Sequence, residues 1–295
     1  MYVFPDKARL EGAARLWNAA AMLCGSFSLH PVGTGAAMHL AGYRALGLAG
    51  WHYEPFRVED LPAAVAALRA LGLRGVGVSM PFKLDILPLL DDLHPVAHAI
   101  GAVNTVVNEG GRLTGHNTDW LGAVRAVEEA TSLAGARVLL LGAGGAGRAA
   151  ALRLADEGVE TLWLQNRTGS KAEELASEIG ERFPAVDVRT GLPDTDVEII
   201  LNATSSGLKI EDPLPIDVRA YPLGRADAVY DMIYRPAETP LLRQAREAGC
   251  RTANGLGMLL YQGAAAFELW THRPAPIDVM RAALVREAYG SGESR

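Results

Sequence analysis

This chain is poor in several things, and each shortage narrows what it can do. Only two cysteines, Cys24 and Cys250, occur in 295 residues, too few for a disulfide framework. Each lies beside an apolar run, so a buried free thiol is the plain reading. No uncharged apolar stretch reaches the roughly 18 residues that a membrane span needs. The first residues carry Asp6 and Glu11 where an export signal has a continuous apolar core. No block of arginine or lysine appears, and the formal net charge is −6, which argues against a nucleic-acid surface. The expectation is a cytoplasmic protein, monomer or homodimer, with no membrane or nucleic-acid partner. Lysine is scarce as well: among 28 basic residues it occurs only as Lys7, Lys83, Lys171 and Lys209. Lys83 stands out because its surroundings are apolar and rich in glycine and proline.

A hydrophobic content of 49% over this length is ample for two domains. The stretch that organises them runs from Arg137 to Lys171. Val138, Leu139, Leu140 and Leu141 form an apolar run that breaks into Gly142, Ala143, Gly144, Gly145, Ala146 and Gly147. A proline-free helical segment follows, then a second strand from Thr161 to Gln165. Strand, glycine turn, helix and strand make a βαβ unit suited to a phosphate-bearing cofactor. Glycines let the backbone approach a pyrophosphate, and the unpaired amides at the helix start attract its charge. Where many nicotinamide sites carry an acid for the ribose 2′-hydroxyl, this chain has Asn166, Arg167 and Thr168, with Lys171 beyond. Cations and hydroxyls suit a 2′-phosphate, so the cofactor expected is NADP. Ser170 and Glu173 also spell a capping box, which gives part of the cluster a structural reading.

The rest of the chain alternates strand and helix, predicting an α/β fold with helices outside a parallel or mixed sheet. Helices are expected over 8–20, 36–46, 58–70, 120–130, 171–180, 239–248, 257–270 and about 277–289. Strands are expected over 22–26, 51–55, 75–79, 100–107, 113–117, 186–188, 198–201 and 228–232. Residues 26–35 read as a hydroxyl-rich loop, 249–253 as a segment crossing back, and the tail from Gly290 as frayed. His94 and His98 fall on one face of a helix expected over 91–99. A metal needs a third ligand and the zincin glutamate is missing, so no metal is expected.

Hydride transfer to a ketone leaves an alkoxide that needs a proton. A lysine beside that oxygen can donate it, and a carboxylate can orient and tune the lysine. Lys83 and Asp119, each at a junction after a strand end, are the best pair. Ser79, Asn104 and Gln262 are placed to hydrogen-bond a polyol ring. A solvated lysine and a helix-capping aspartate are the alternatives for the pair.

These motifs together resemble the shikimate dehydrogenase family across nearly the whole chain. Ser79–Lys83 is similar to its substrate-lysine motif, Gly101–Thr105 to its substrate-asparagine motif, and Asn117–Asp119 to its catalytic-aspartate motif. Gly142–Ala146 and Asn166–Thr168 resemble its NADP loops. Asn202–Gly207, Asp231–Tyr234, and Gly255 with Met258, Leu259 and Gln262 match further signatures. The resemblance implies a substrate-binding catalytic domain, 1–119 plus 256–295, and a Rossmann-like NADP domain, 120–255. It implies Lys83 and Asp119 as the catalytic pair, and Ser79, Asn104, Tyr234 and Gln262 as contacts to a small polar cyclic substrate. Arg167 and Thr168 would hold the 2′-phosphate, with Thr204 and Gly255 also lining the cofactor. The implied reaction interconverts shikimate and 3-dehydroshikimate, or a related cyclic polyol acid, in aromatic amino acid biosynthesis. A quinate-type dehydrogenase and a catalytically weak NADP-binding sensor are the alternatives.

One loop departs. Counting back from His39, the family's serine–x–serine pair for the substrate carboxylate is replaced by Gly33, Thr34 and Gly35, followed by Ala36 for a proline. Leu40 replaces the usual asparagine. The pattern is closer to the shikimate-dehydrogenase-like paralogues. Ser26 and Ser28, upstream, would serve the carboxylate only if the loop folds back.

Overall fold

The computed structural model describes residues 22–128 and 132–290. The helix expected over 8–20 and the tail beyond Gly290 lie outside them. In chain order the first elements are β1 (Met22–Ser28), α1 (Thr34–Ala45), β2 (Trp51–Arg57), α2 (Leu61–Ala70) and β3 (Gly75–Val78). Then come α3 (Phe82–Asp85), a short 3-10 turn, β4 (Asp92–Leu93), α4 (Pro95–Ile100), β5 (Thr105–Glu109), β6 (Arg112–His116) and α5 (Asp119–Glu128). The second half runs β7 (Arg137–Leu141), α6 (Gly145–Asp156), β8 (Thr161–Gln165), α7 (Gly169–Arg182), β9 (Asp187–Thr190) and β10 (Val197–Asn202). It ends with β11 (Ala226–Asp231), α8 (Pro240–Glu247), β12 (Arg251–Asn254), α9 (Leu256–Thr271) and α10 (Ile277–Tyr289).

Contacts among the described residues divide the chain into two compact units, one reaching to residue 117 and taking in 266–287, the other spanning 118–265 with 288–290. The division falls two residues before Asp119 and inside α9, where the sequence reading put its boundaries after Asp119 and before Leu256. Packing explains the shift. A Cβ on Gly122 of α5 would lie 2.5 Å from the Met258 carbonyl oxygen and 2.8 Å from the Gln262 nitrogen, so the start of α9 packs helix to helix against α5. Farther along, Trp270 leaves no room for any side chain on Gly75 and donates from Nε1 to the Val106 carbonyl at 3.0 Å.

The first unit holds a mixed sheet in the order β2-β1-β3-β5-β6-β4, with β2, β1 and β3 parallel and β5 antiparallel to both neighbours. Phe27, Val65, Leu68, Val76, Val78, Phe82, Ile86, Val103, Val106 and Leu113 close over one core. The second unit holds an all-parallel sheet in the order β12-β11-β10-β7-β8-β9. Starting from β7, that is the doubly wound order whose switch point lies between the first and fourth strands. The apolar run in β7 follows from burial on both faces. Val138 and Leu140 join one core with Ala151, Leu154 and Leu175, while Leu139 and Leu141 join another with Ile200, Tyr221 and Leu241.

Several local expectations are corrected. Ser26 and Ser28 belong to β1, not to a loop. The strand expected from Ile100 starts only at Thr105, because Gly101 in the left-handed region (φ 72°) ends α4 first. His94 caps α4, accepting from the Val96 amide at 3.4 Å, so it shares no helical face with His98. α7 is capped by Thr168 without a side-chain hydrogen bond, so Ser170 and Glu173 make no capping box. Residues 251–254 form the edge strand β12.

Candidate active site

The cofactor half sits at the carboxyl end of β7. Gly142 takes φ +108°, and a Cβ there would meet Thr204 and the Ala203 carbonyl at 3.0 and 3.2 Å. Its amide donates to the Gln165 carbonyl at 2.8 Å. The Ala143 amide donates to Asn166 Oδ1 at 3.1 Å, and Asn166 Nδ2 donates to the Thr168 carbonyl at 2.8 Å. Asn166 thus ties the glycine turn to the loop after β8. Gly144 caps α6 with no side chain, the first turn carries no acid, and a Cβ on Gly144 or Gly145 would meet nothing within 4 Å. The backbone from Gly144 to Ala146 is exposed, and the first amides of a helix have no partner within it, which is what an approaching pyrophosphate requires. Gly147, which the sequence reading left out of its site, is the opposite case: any Cβ would overlap the Gly142 carbonyl. It lets α6 approach the turn closely, a role its spacing from Gly142 and Gly144 could have signalled. Arg167, Thr168 and Lys171 are all exposed and no carboxylate stands among them. This donor set fits NADP.

Deeper in that unit a buried network fixes the loops around the crevice. Asn202 Oδ1 accepts from the Thr204 amide at 3.0 Å and hydroxyl at 2.7 Å. Asn202 Nδ2 donates to Asp231 Oδ1 at 3.0 Å, as does the Ile233 amide, and the Thr239 hydroxyl donates to Oδ2 at 2.7 Å. Burial pushes the Asp231 carboxyl up, and the three donors pull it back. Gly255 donates to the Ile233 carbonyl at 3.2 Å, and any side chain on it would overlap the Met232 carbonyl. Thr204 and Gly255 are thus packed into the turns that carry them. The Tyr234 carbonyl accepts from Tyr289 at 2.7 Å, which holds the strand-end loop. Asp119 opens α5 one turn before Gly122, the residue that packs on Gln262, so the structure gathers Asp119 and Gln262 in one helix pair.

The substrate half sits at the carboxyl ends of β1 and β3. Lys83, half-buried in α3, accepts the Val103 amide on its carbonyl at 2.9 Å. Ser79 is exposed, its backbone held by Phe27 and Phe82. Asn104 is buried; its carbonyl accepts from Val78 at 2.7 Å and its Oδ1 from the Thr105 hydroxyl at 3.1 Å. The structure therefore brings the lysine, serine and asparagine motifs together. It does not fold Ser26 and Ser28 back toward Gly33. Ser26 shares a hydrogen bond with the Tyr53 hydroxyl, which burial pushes up to about 12. Among the described residues the buried Ser28 hydroxyl has no partner.

Tyr53 was missed from the sequence. A Cβ on Gly35 would lie 3.4 Å from its hydroxyl oxygen, and one on Gly77 would lie 3.8 Å away. The buried His39 ring lies flat on Tyr53 (centroids 4.6 Å, 5°), and burial lowers its imidazole to about 3. Among the described residues no group of three histidine, cysteine or acidic side chains is arranged to hold a metal, and no helix is long and apolar enough to cross a membrane.

Family models match along the chain. The shikimate dehydrogenase substrate binding domain matches residues 32–106, shikimate / quinate 5-dehydrogenase 125–212, and the shikimate 5'-dehydrogenase C-terminal domain 255–285. The shikimate dehydrogenase (NADP(+)) of Moorella thermoacetica is 47% identical over 277 residues, 89% of this chain and 92% of that one. Among solved structures, the ligand-free 5-ketofructose reductase of Gluconobacter sp. strain CHM43 aligns with a TM-score of 0.80 at 35% identity, covering 90% of this chain and 99% of that one. Shikimate 5-dehydrogenase of Thermus thermophilus, solved with NADP(H) and shikimate, aligns with a TM-score of 0.77 at 36% identity, covering 90% and 99%.

Proposed function

Because the chain belongs to the shikimate dehydrogenase family, we propose that it moves a hydride between NADP(H) and a ring carbon of a small polyhydroxylated compound. Shikimate and 3-dehydroshikimate, or a related cyclic polyol, are the substrates proposed, with a place in aromatic amino acid biosynthesis. One observation carries the cofactor reading. The exposed backbone of Gly144 and Gly145 stands at the start of α6, while the loop after β8 offers Arg167, Thr168 and Lys171 and no acid. Bound NADPH supplies the hydride.

The chain's own residues do the remaining work. Lys83 Nζ donates a proton to the substrate oxygen as it gains negative charge, and its ammonium stabilises that charge beforehand. The Asp119 carboxylate favours the charged lysine, which takes its proton back from water once the product oxygen is protonated. Ser79, Asn104, Gln262 and Tyr234 orient the ring hydroxyls, and Arg167 with Thr168 binds the 2′-phosphate. The unit holding Lys83 is assigned as the substrate domain and the unit holding β7 as the cofactor domain.

NADPH oxidation with 3-dehydroshikimate, run beside Lys83→Ala, tests this. General acid catalysis contributes about 10²–10⁴, so the variant is expected to lose that much kcat while binding NADPH as the parent does. A variant within tenfold of the parent rate would remove Lys83 from the mechanism.

A further inference from the structure

Between α4 and β5 the chain fixes one side chain more tightly than the entrance to a strand requires. Gly101 ends α4 in the left-handed region, the Ala102 carbonyl accepts from Asn117 Nδ2 at 3.1 Å, and the Val103 amide donates to the Lys83 carbonyl at 2.9 Å. At Asn104 both backbone groups are taken. Its amide donates to the His116 carbonyl at 3.0 Å and its carbonyl accepts from the Val78 amide at 2.7 Å. The ends of β3 and β6 therefore hold Asn104 from either side, and only its side-chain torsions remain to be set. Burial restricts the first of them, since Asn104 is 3% exposed. The second decides which end of the amide lies where. Packing distinguishes those ends poorly, because an amide oxygen and an NH2 group are close in size. Hydrogen bonding does distinguish them.

The Thr105 hydroxyl donates to Asn104 Oδ1 at 3.1 Å. That bond engages the oxygen with Thr105 and sets the NH2 on the opposite side of the amide. Thr105 is itself well held: it is 1% exposed and pairs with Gly77 of β3 on one side and His116 of β6 on the other. A β-branched side chain is stiff at its first torsion, so the hydroxyl is a stationary donor. We propose that Thr105 is a positioning residue for the reaction, acting through Asn104 to hold the amide with its NH2 end given to a substrate oxygen. The inference rests on the dehydrogenase reading above, in which Asn104 orients a ring hydroxyl, and adds the direction of that contact: the protein donates and the substrate oxygen accepts.

The test measures kcat and KM for NADPH-dependent reduction of 3-dehydroshikimate, with the NADPH dissociation constant and thermal unfolding alongside. The parent is run beside Thr105→Val, Thr105→Ser, Asn104→Ala, and Asn104→Ala combined with Thr105→Val. Thr105→Val keeps the branched shape that suits the strand and loses the donor, so it is expected to fold. It should raise KM about tenfold while moving kcat and the NADPH dissociation constant little. Thr105→Ser keeps the hydroxyl and should return KM to within about threefold of the parent's, even though the lost methyl lowers the unfolding temperature. A threonine that only packs would show the reverse order. In the Asn104→Ala background, Thr105→Val should add no further loss. A Thr105→Val protein with the parent's KM, a serine variant no better than the valine one, or losses that multiply in the double variant overturns the positioning role and leaves the dehydrogenase reading standing. An Asn104→Ala protein with the parent's kinetics removes the substrate contact and this inference with it. A parent that binds NADPH and reduces no 3-dehydroshikimate overturns both the reading and the inference.

Discussion

The turn from Gly142 to Gly147 and the turn from Gly33 to Gly35 hold matching places. Each follows a parallel strand and opens the helix behind it, α6 in one unit and α1 in the other. Both lack a capping side chain and a first-turn acid. Their surroundings differ. Around Gly144 and Gly145 the space is open, whereas Gly33 faces the Glu287 carboxylate and Gly35 faces the Tyr53 hydroxyl. The first turn is bare so that something from outside can approach the backbone. In the second, side chains of the same unit come into the room the glycines leave. Glycine at a helix start is therefore an incomplete signal, and what a Cβ would touch decides its meaning.

The largest expected effect tests the packed end of the cofactor turn. Gly147→Ala drives a methyl into the Gly142 carbonyl, backbone against backbone, and should cost about 3 kcal/mol in denaturant unfolding. Gly145→Ala, which meets nothing, should leave stability equal or slightly higher yet weaken NADPH binding at least tenfold. Equal stability for the two variants would break the distinction between a packed glycine and a ligand-facing one.

Much of this contrast is hidden from the sequence. The β7–α6–β8 unit is legible because burial on both faces of β7 writes an uninterrupted apolar run, and α10 is legible over its whole length. β12 is not, because Arg251 and Thr252 are exposed and an edge strand carries little apolar pattern. Of the site, the motifs around Lys83, Asn104 and Asp119 are visible as polar residues set at strand ends. Tyr53 and Glu287 are invisible, since nothing local links Glu287 to Gly33 across the chain. Only the parallel pairing of β1 with β2 and the placement of α10 bring them there.

The filled turn also predicts a pH effect. His39 supports Tyr53, and burial holds its imidazole at about 3, while in the unfolded chain it titrates near 6.5. The fold therefore keeps it neutral. The stability this contributes is complete above about pH 6.5 and is lost as pH falls from there toward 3. His39→Phe keeps a ring against Tyr53 and removes the proton site. Its unfolding free energy should fall less between pH 6.5 and 4 than the parent's, by a few kcal/mol. Parallel curves over that window would show that His39 is not neutral by burial.

Arg167→Ala examines the exposed rim of the open turn. Losing a charge-assisted contact worth about 1.5–3 kcal/mol should raise the NADPH dissociation constant roughly 10- to 100-fold and that for NADH little. Equal losses for both cofactors would remove the 2′-phosphate from this loop.

The smallest effect is expected at Gly35, and it separates two meanings of the filled turn. Gly35 is the second residue of α1 and does not take a positive φ, so alanine should raise helix stability by about 0.5 kcal/mol. Its methyl would rest 3.4 Å from the Tyr53 hydroxyl, an ordinary contact. If Tyr53 only fills space, Gly35→Ala should show that gain in thermal unfolding and leave steady-state kinetics unchanged. If a substrate hydroxyl approaches Tyr53, the same methyl crowds it, and KM for the ketone should rise a few-fold while the NADPH dissociation constant stays put. The hydrogen bond to Ser26 leaves the Tyr53 oxygen further capacity to donate or accept, so we expect the second result. A stability gain with an unmoved KM would reduce Tyr53 to packing.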